Sequence, residues 1–269
     1  MKKVVFVADM FAHQYAGGAE LTTEALIRGA TSSTDIIRIN SSQLTIPILK
    51  ESNDLHYIVC NFASLDDKVK LHMCQYRSME KHLTITGNEC DCVEQMSGKI
   101  NSAFYGYAKK IWFMSEGQRD IFLSKVKTIK EDKCEVLSSV FADGDIRFMK
   151  SIKDNEKDDK YLILGSSSWI KGVQECVQHA KDNELNYEIV QNLPYHELLI
   201  KMSCSKGLIF LPLGNDTCPR FVIEAKMLGC ELILNKHVQH KDELWFETQD
   251  SCYSYLESRK NTFWSYYAE

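Results

Sequence analysis

The chain has 269 residues, 44% hydrophobic and 26% charged, which suits a globular protein of one large or two compact domains. A net charge of −5 argues against nucleic acid as the main partner and leaves only local basic patches for a phosphate or a membrane surface. No stretch reaches the ~18 apolar residues of a membrane span, and Asp9 breaks the short apolar opening MKKVVFVADMF, so a cytoplasmic protein with at most peripheral membrane contact is expected.

In chain order, Val4–Ala8 reads as a strand, followed by a turn at Gly17–Gly18 and a helix to about Gly29. Asp35–Ile39 and Tyr57–Phe62 are the next strands, with a helix after Leu65. Leu83–Thr86 and Ile111–Met114 follow as strands, and Ser115 is placed to cap a helix from Glu116 to about Val126. Cys134–Ser138 is the last apolar run of this half. The charged stretch Lys150–Lys160, without an apolar face, reads as a surface linker. Behind it the pattern restarts with the strand Tyr161–Leu164, which ends in Gly165, and a helix over about Lys171–Asp182. Tyr187–Val190 is a strand, Tyr195–Met202 a helix opened by Pro194, and Gly207–Leu213 the most apolar strand. Pro219–Leu228 reads as a helix, Glu231–Leu234 as a strand, and Ser254–Tyr267 as a closing aromatic helix.

Strands alternating with amphipathic helices predict an α/β fold built on parallel sheets. The composition change predicts two doubly wound, Rossmann-like domains, 1–145 and 158–253, with the helix 254–269 expected to pack back on the first. If both sheets present their carboxyl ends to each other, the domains face across a cleft that holds the ligand. Ten scattered cysteines with no CxxC spacing read as reduced, mostly buried thiols.

The most informative segment is Gly214-Asn-Asp-Thr-Cys-Pro-Arg-Phe-Val-Ile-Glu224. It follows an apolar strand and opens a helix at Pro219, a residue suited to the first turn. Free backbone N–H groups and the positive dipole end make such a turn a phosphate site. Asp216 in the loop and Glu224 on the helix would flank that phosphate and accept bonds from sugar or ribose hydroxyls. On spacing alone, Asp216 reads equally as a helix cap and Glu224 as a surface acid. In Gly165-Ser-Ser-Ser-Trp-Ile-Lys-Gly172, Lys171 is placed at a helix start as a diphosphate clamp; the plain alternative is a solvated lysine. Tyr15-Ala-Gly-Gly-Ala-Glu20 gives a glycine turn after the first strand, read either as a plain tight turn or as a loop where Gly17 and Gly18 let backbone N–H groups approach a phosphate. Its two glycines are adjacent and Ile39-Asn40 offers no acid at the second strand's end, so NAD binding is disfavoured.

Asp216 and Glu224, eight apart and followed by Ala225 and Leu228-Gly229-Cys230, resemble the Glu-x7-Glu signature of the family 4 glycosyltransferases. The resemblance implies the GT-B architecture, retention of anomeric configuration, and a reaction without metal or cofactor. It gives Asp216 the sugar contact and Glu224 the ribose contact. The loop Thr217-Cys218-Pro219-Arg220, in place of the usual Gly-Phe-Gly, would lend N–H groups to the donor. The family's diphosphate pair, Arg and Lys in G-R-x-x-x-x-K-G, leaves Lys171 matched and Ser166 where the Arg stands, with Arg220 the candidate substitute. Asn192 and Leu193 correspond to the backbone that reads the base. Glu89 and Asp91, around the Cys90 that replaces a family histidine, are candidates for sugar or acceptor contact. No metal site is assigned; the acid pairs Asp66-Asp67 and Asp158-Asp159 sit in polar stretches.

The expectation is therefore a glycosyltransferase that moves a sugar from a nucleotide diphosphate donor to a glycan, lipid-linked or protein acceptor. A sugar-nucleotide epimerase and a non-catalytic nucleotide-sugar binder are the alternatives.

Overall fold

The computed structural model describes residues 2–52, 54–75, 83–86, 99–127 and 129–268. The chain divides into two compact units, Met1–Val140 with Arg259–Glu269, and Phe141–Ser258.

Unit 1 runs β1 (Lys2–Ala8), α1 (Gly18–Arg28), β2 (Thr34–Asn40), α2 (Ile46–Glu51), β3 (His56–Val59), α3 (Asp67–Gln75), β4 (Leu83–Thr86), α4 (Lys99–Tyr107), β5 (Lys110–Phe113), α5 (Glu116–Lys125) and β6 (Cys134–Val136). Its six described strands are all parallel, in the order β2-β1-β3-β4-β5-β6. A parallel sheet is covered on both faces, which is why its strands read as continuous apolar runs. Val5, Val7, Tyr57, Val59, Ile85 and Ile111 pack with Phe104, Tyr105 and Phe122 in one core. Ser115 caps α5 as its position predicts, its Oγ accepting from Gln118 N at 3.1 Å. The last residues of the chain belong to this unit. Trp264 Nε1 donates to the Leu26 carbonyl at 2.8 Å, Tyr267 OH to Thr84 Oγ1 at 2.7 Å, and Phe263 lies 5.7 Å from Trp112.

Unit 2 runs α6 (Asp143–Ile152), β7 (Tyr161–Leu164), α7 (Val173–Asp182), β8 (Tyr187–Val190), α8 (Tyr195–Ser203), β9 (Gly207–Phe210), α9 (Arg220–Met227), β10 (Glu231–Leu234) and the first part of α10 (Gln249–Ala268). Its four strands are parallel in the order β10-β9-β7-β8.

Four local differences from the sequence reading have physical causes. The charged run 150–160 is not a linker between units. Its first residues finish α6, and Lys157 Nζ donates to the carbonyls of Ser203, Ser205 and Leu228 at 3.1, 3.3 and 3.0 Å. A cation there satisfies the open carbonyls at the ends of α8 and α9. The division between the units falls at 140/141, ahead of that run. The apolar run from Gly207 leaves the sheet after Phe210, because Leu213 N turns to the Ile170 carbonyl at 2.9 Å. Helix α7 starts at Val173, since Gly172 takes a left-handed φ of 60° that ends the 3-10 turn Trp169–Lys171 before it. The helices α2, α4 and α6 have no counterpart in the sequence reading, α6 because it runs into the charged stretch read as a linker.

Among the described residues the cysteines form no disulfide and most are buried. Burial pushes the thiols of Cys74, Cys134 and Cys230 up to about 11 and that of Cys252 to about 12, which makes them unreactive. No described helix is long and apolar enough to cross a membrane.

Candidate functional site

In an open parallel sheet the ligand crevice lies at the carboxyl ends of strands where the winding reverses. In unit 2 the chain leaves β7 for β8 on one side, then returns to β9 on the other, so the reversal lies between β7 and β9. The loops that follow these two strands carry Lys171 and Asp216. They meet there: Lys171 Nζ lies 2.6 Å from Asp216 Oδ2 across 45 positions of sequence. Asp216 is 5% exposed, whereas the lysine side chain keeps 29% of its surface. The ammonium also lies 5.8 Å from the Phe210 ring centroid.

The backbone holds both partners in place. Asp216 N donates to the His237 carbonyl at 2.8 Å and Gln239 N to the Asp216 carbonyl at 3.0 Å, so the segment after β10 straps the loop after β9. Asn235 Nδ2 adds a bond to the Pro212 carbonyl at 2.8 Å. Behind the strap lies His240, fully buried and stacked on Trp245 at 5.5 Å. Lys171 is set by Gly172, whose position is closed to any side chain: a Cβ would collide with the Leu211 carbonyl. Gly172→Ala is expected to cost more than about 1 kcal/mol, through strain at positive φ added to that collision. Denaturant unfolding checks this, and a wild-type midpoint would contradict it.

Glu224 lies on α9, where Phe221–Ala225 and Met227 are buried with it, leaving the helix almost no polar face. A charge on such a helix needs a partner. Arg220, one turn earlier, provides it: its Nε donates to Glu224 Oε1 at 3.0 Å. Tyr195 OH donates to the same oxygen at 2.8 Å and accepts from Arg220 Nη2 at 3.3 Å. Arg220 Nη2 also lies 3.5 Å from Asp145 Oδ2 on α6, and the guanidinium carbon sits 3.8 Å from the Phe141 ring centroid. Burial raises the Glu224 pKa, and the guanidinium and the Tyr195 hydroxyl offset part of that rise. Burial disfavours the Arg220 charge, but Tyr195, Glu224 and Asp145 outweigh it and move its pKa up. Burial and the Glu224 charge push the Tyr195 hydroxyl up as well. The last two shifts keep the arginine charged and the tyrosine a donor.

Arg220 is thus buried among carboxylates, which is not the open position a diphosphate clamp requires. Ser166 is half-buried, and its Oγ accepts from Ser168 N at 3.1 Å. Asn192 and Leu193 are exposed just past β8, with Asn192 at a left-handed φ of 57°. Thr217, Cys218 and Pro219 are buried beside Asp216. In unit 1 the winding reverses between β1 and β3, and Gly17 caps α1 in the loop after β1. Glu20 in that helix receives Asn61 Nδ2 at 3.5 Å, and burial, with Asp9 nearby, raises its pKa. Glu89, Cys90 and Asp91 lie outside the described residues.

Sequence reasoning missed Asp9, Asp145, Tyr195 and His240. Asp9 anchors the loop after β3, its carboxylate accepting from Ala63 N at 2.9 Å and Ser64 N at 3.0 Å. One Asp-x-Asp string does occur, Asp143-Gly144-Asp145, in the first turn of α6. Residues two apart on a helix point to different sides, and Asp145 turns to Arg220. Among the described residues no three His, Cys, Asp or Glu side chains cluster as a metal site would need.

No protein-family model and no curated protein sequence matches the chain. Solved structures do match over nearly its whole length. Anabaena Alr3699/HepE in complex with UDP-glucose is 11% identical, over 97% of this chain and 94% of that one, with a TM-score of 0.57. An alpha-glucosyltransferase in complex with UDP is 10% identical over 98% and 94%, with a TM-score of 0.50. An alpha-glucosyltransferase in complex with UDP and a 13-mer DNA containing a HMU base is 11% identical over 99% and 92%, at 0.51. The fold is GT-B. At such identities the likeness establishes the GT-B fold and leaves the chemistry to the residues of this chain.

Proposed function

We propose that this GT-B protein is a glycosyltransferase that moves a sugar from a nucleotide diphosphate donor to an acceptor hydroxyl. The observation that carries the reading is the Lys171–Asp216 pair, joined at 2.6 Å at the winding reversal of unit 2. A lone surface lysine and a lone helix cap would have no reason to converge there. The solved structures of the same fold that hold UDP or UDP-glucose support it.

In this reading Lys171 gives its charge to the donor diphosphate and, as the sugar departs, to the growing negative charge. A fixed cation in a site shielded from water is worth far more than one in solution. Asp216, released from the lysine, turns to a hydroxyl of the transferred sugar. Glu224 receives the ribose. Gly17 and Gly18 lend N–H groups on the acceptor side, and the backbone at Asn192 and Leu193 meets the base. Retention, a reaction without metal or cofactor, and a cytoplasmic place of work follow from the Glu-x7-Glu resemblance and the sequence reading. The acceptor is a glycan, a lipid-linked sugar or a protein.

Thermal shift against UDP, GDP, ADP and dTDP sugars tests the donor. A donor present at 100 times its Kd adds about 2.7 kcal/mol to stability, a clear rise in Tm. Product analysis then separates the chemistries. Transfer consumes donor only with an acceptor present. A new sugar nucleotide formed without acceptor marks an epimerase, and binding without turnover marks a carrier; either result overturns the proposal.

A further inference from the structure

We propose that Arg220 is a positioning residue for Glu224, acting with Asp145 and Tyr195 to present one carboxylate oxygen to the ribose of a nucleotide. The inference rests on the nucleotide-sugar reading above and removes Arg220 from the diphosphate.

Three helices meet at this point. Arg220 and Glu224 come from α9, Asp145 from α6 and Tyr195 from α8. The Arg220 and Glu224 side chains are 5% and 3% exposed. Arg220 Nε and Tyr195 OH both take Glu224 Oε1, at 3.0 and 2.8 Å. The third side of the triangle, Arg220 Nη2 to Tyr195 OH, is 3.3 Å. Two donors on Oε1 restrain the carboxylate, and Oε2 is the oxygen left to accept from a pair of vicinal hydroxyls. Asp145 holds the far side of the guanidinium at 3.5 Å, and the Phe141 ring lies 3.8 Å from its carbon, so the arginine is braced on two further sides. His196, with Nε2 3.9 Å from Asp145 Oδ1, is a further titratable group at this cluster. A buried guanidinium already shared between two carboxylates has no reason to leave them for a phosphate, whereas Lys171 is part-exposed. The fork geometry of arginine is what lets one side chain hold Glu224, Tyr195 and Asp145 together, and a lysine offers only a point charge.

The test compares UDP, GDP and ADP with their 2′,3′-dideoxy counterparts by calorimetry. The wild-type protein is expected to favour the hydroxylated member of the pair it binds by about 10- to 100-fold, the worth of hydrogen bonds to a charged group. In Arg220→Met that preference collapses to within about threefold of unity, as it does in Glu224→Gln, and Arg220→Lys restores part of it. Asp145→Asn alters a partly exposed residue and keeps the question open to measurement if Arg220→Met does not fold; it lowers the preference about two- to threefold. Equal weakening of both ligands in Arg220→Met, with the wild-type preference intact, puts the arginine on the diphosphate and overturns the inference while leaving the glycosyltransferase reading in place. A wild-type protein that binds none of the nucleotides overturns both.

Discussion

Lys171→Met is expected to lower kcat for donor turnover by about 10²- to 10³-fold, the usual loss when one well-placed group that stabilises developing charge is removed. The lysine stands at the winding reversal of unit 2, fixed from behind by a glycine that tolerates no side chain. Its charge is held 2.6 Å from Asp216 and is partly open. It can therefore exchange a carboxylate for a diphosphate at little cost in reorganisation. An interaction that strengthens as the leaving group gains charge shows in kcat, whereas plain ground-state binding shows in KM. Lys171→Arg keeps the charge and shifts its geometry, so its loss should be smaller, about tenfold. The Asp216→Asn partner completes a cycle. Both residues act on one donor, so the double variant should fall short of the sum of the singles. Initial rates with saturating donor, alongside a melt that shows each variant folded, provide the measurement. Near wild-type kcat in Lys171→Met would remove the lysine from the chemistry and with it the main support for glycosyl transfer.

Lys171 also shows what a sequence can reveal of such a site. Its loop and the Asp216 loop were legible because each follows an apolar strand and carries a charge where a ligand would sit. Parallel sheets write themselves plainly, since buried strands are short apolar runs and the turns between them are not. The Arg220 network was not legible. Asp145 lies 75 positions from Arg220, in a short helix beside a charged stretch, and no periodicity links the two. The i,i+4 spacing of Arg220 and Glu224 was visible, but it suits a solvated surface pair equally well. Only the burial of α9 on nearly all sides turns that spacing into a shared charge. The run 150–160 misled for the same reason. Its composition is that of a linker, yet Lys157 closes three helix-end carbonyls, a role set by where those helices stop.

Acid should weaken the fold through His240, and the sign follows from its surroundings. The ring is fully buried, neither nitrogen has a hydrogen-bond partner, and it packs against Trp245 and Phe246 at 5.5 and 4.6 Å. Burial pushes its pKa down to about 3, and the nearby Thr217 backbone opposes that only in part, without reaching hydrogen-bond geometry. The unfolded chain takes up a proton on this histidine below its ordinary value of about 6.5, while the folded chain stays neutral until about 3. Between the two the unfolded state binds more protons, so the contribution is complete above the ordinary value and is lost as pH falls. From pH 7 to pH 5 the loss should be about 2 kcal/mol. Glu224 works in the opposite direction, since its raised pKa makes the folded state the better proton acceptor. The clean measurement is therefore the difference between wild type and His240→Phe in urea unfolding at the two pH values. The phenylalanine variant should lose about 2 kcal/mol less than wild type. Equal losses would show that the ring is not held neutral in the folded protein. The same histidine closes the segment whose His237 carbonyl and Gln239 N–H grip Asp216 at 2.8 and 3.0 Å. Charging it should loosen that strap before the whole unit opens, because local opening costs less than global unfolding. Donor turnover is then expected to fail in acid ahead of the far-ultraviolet signal in wild type, and to fail together with it in His240→Phe.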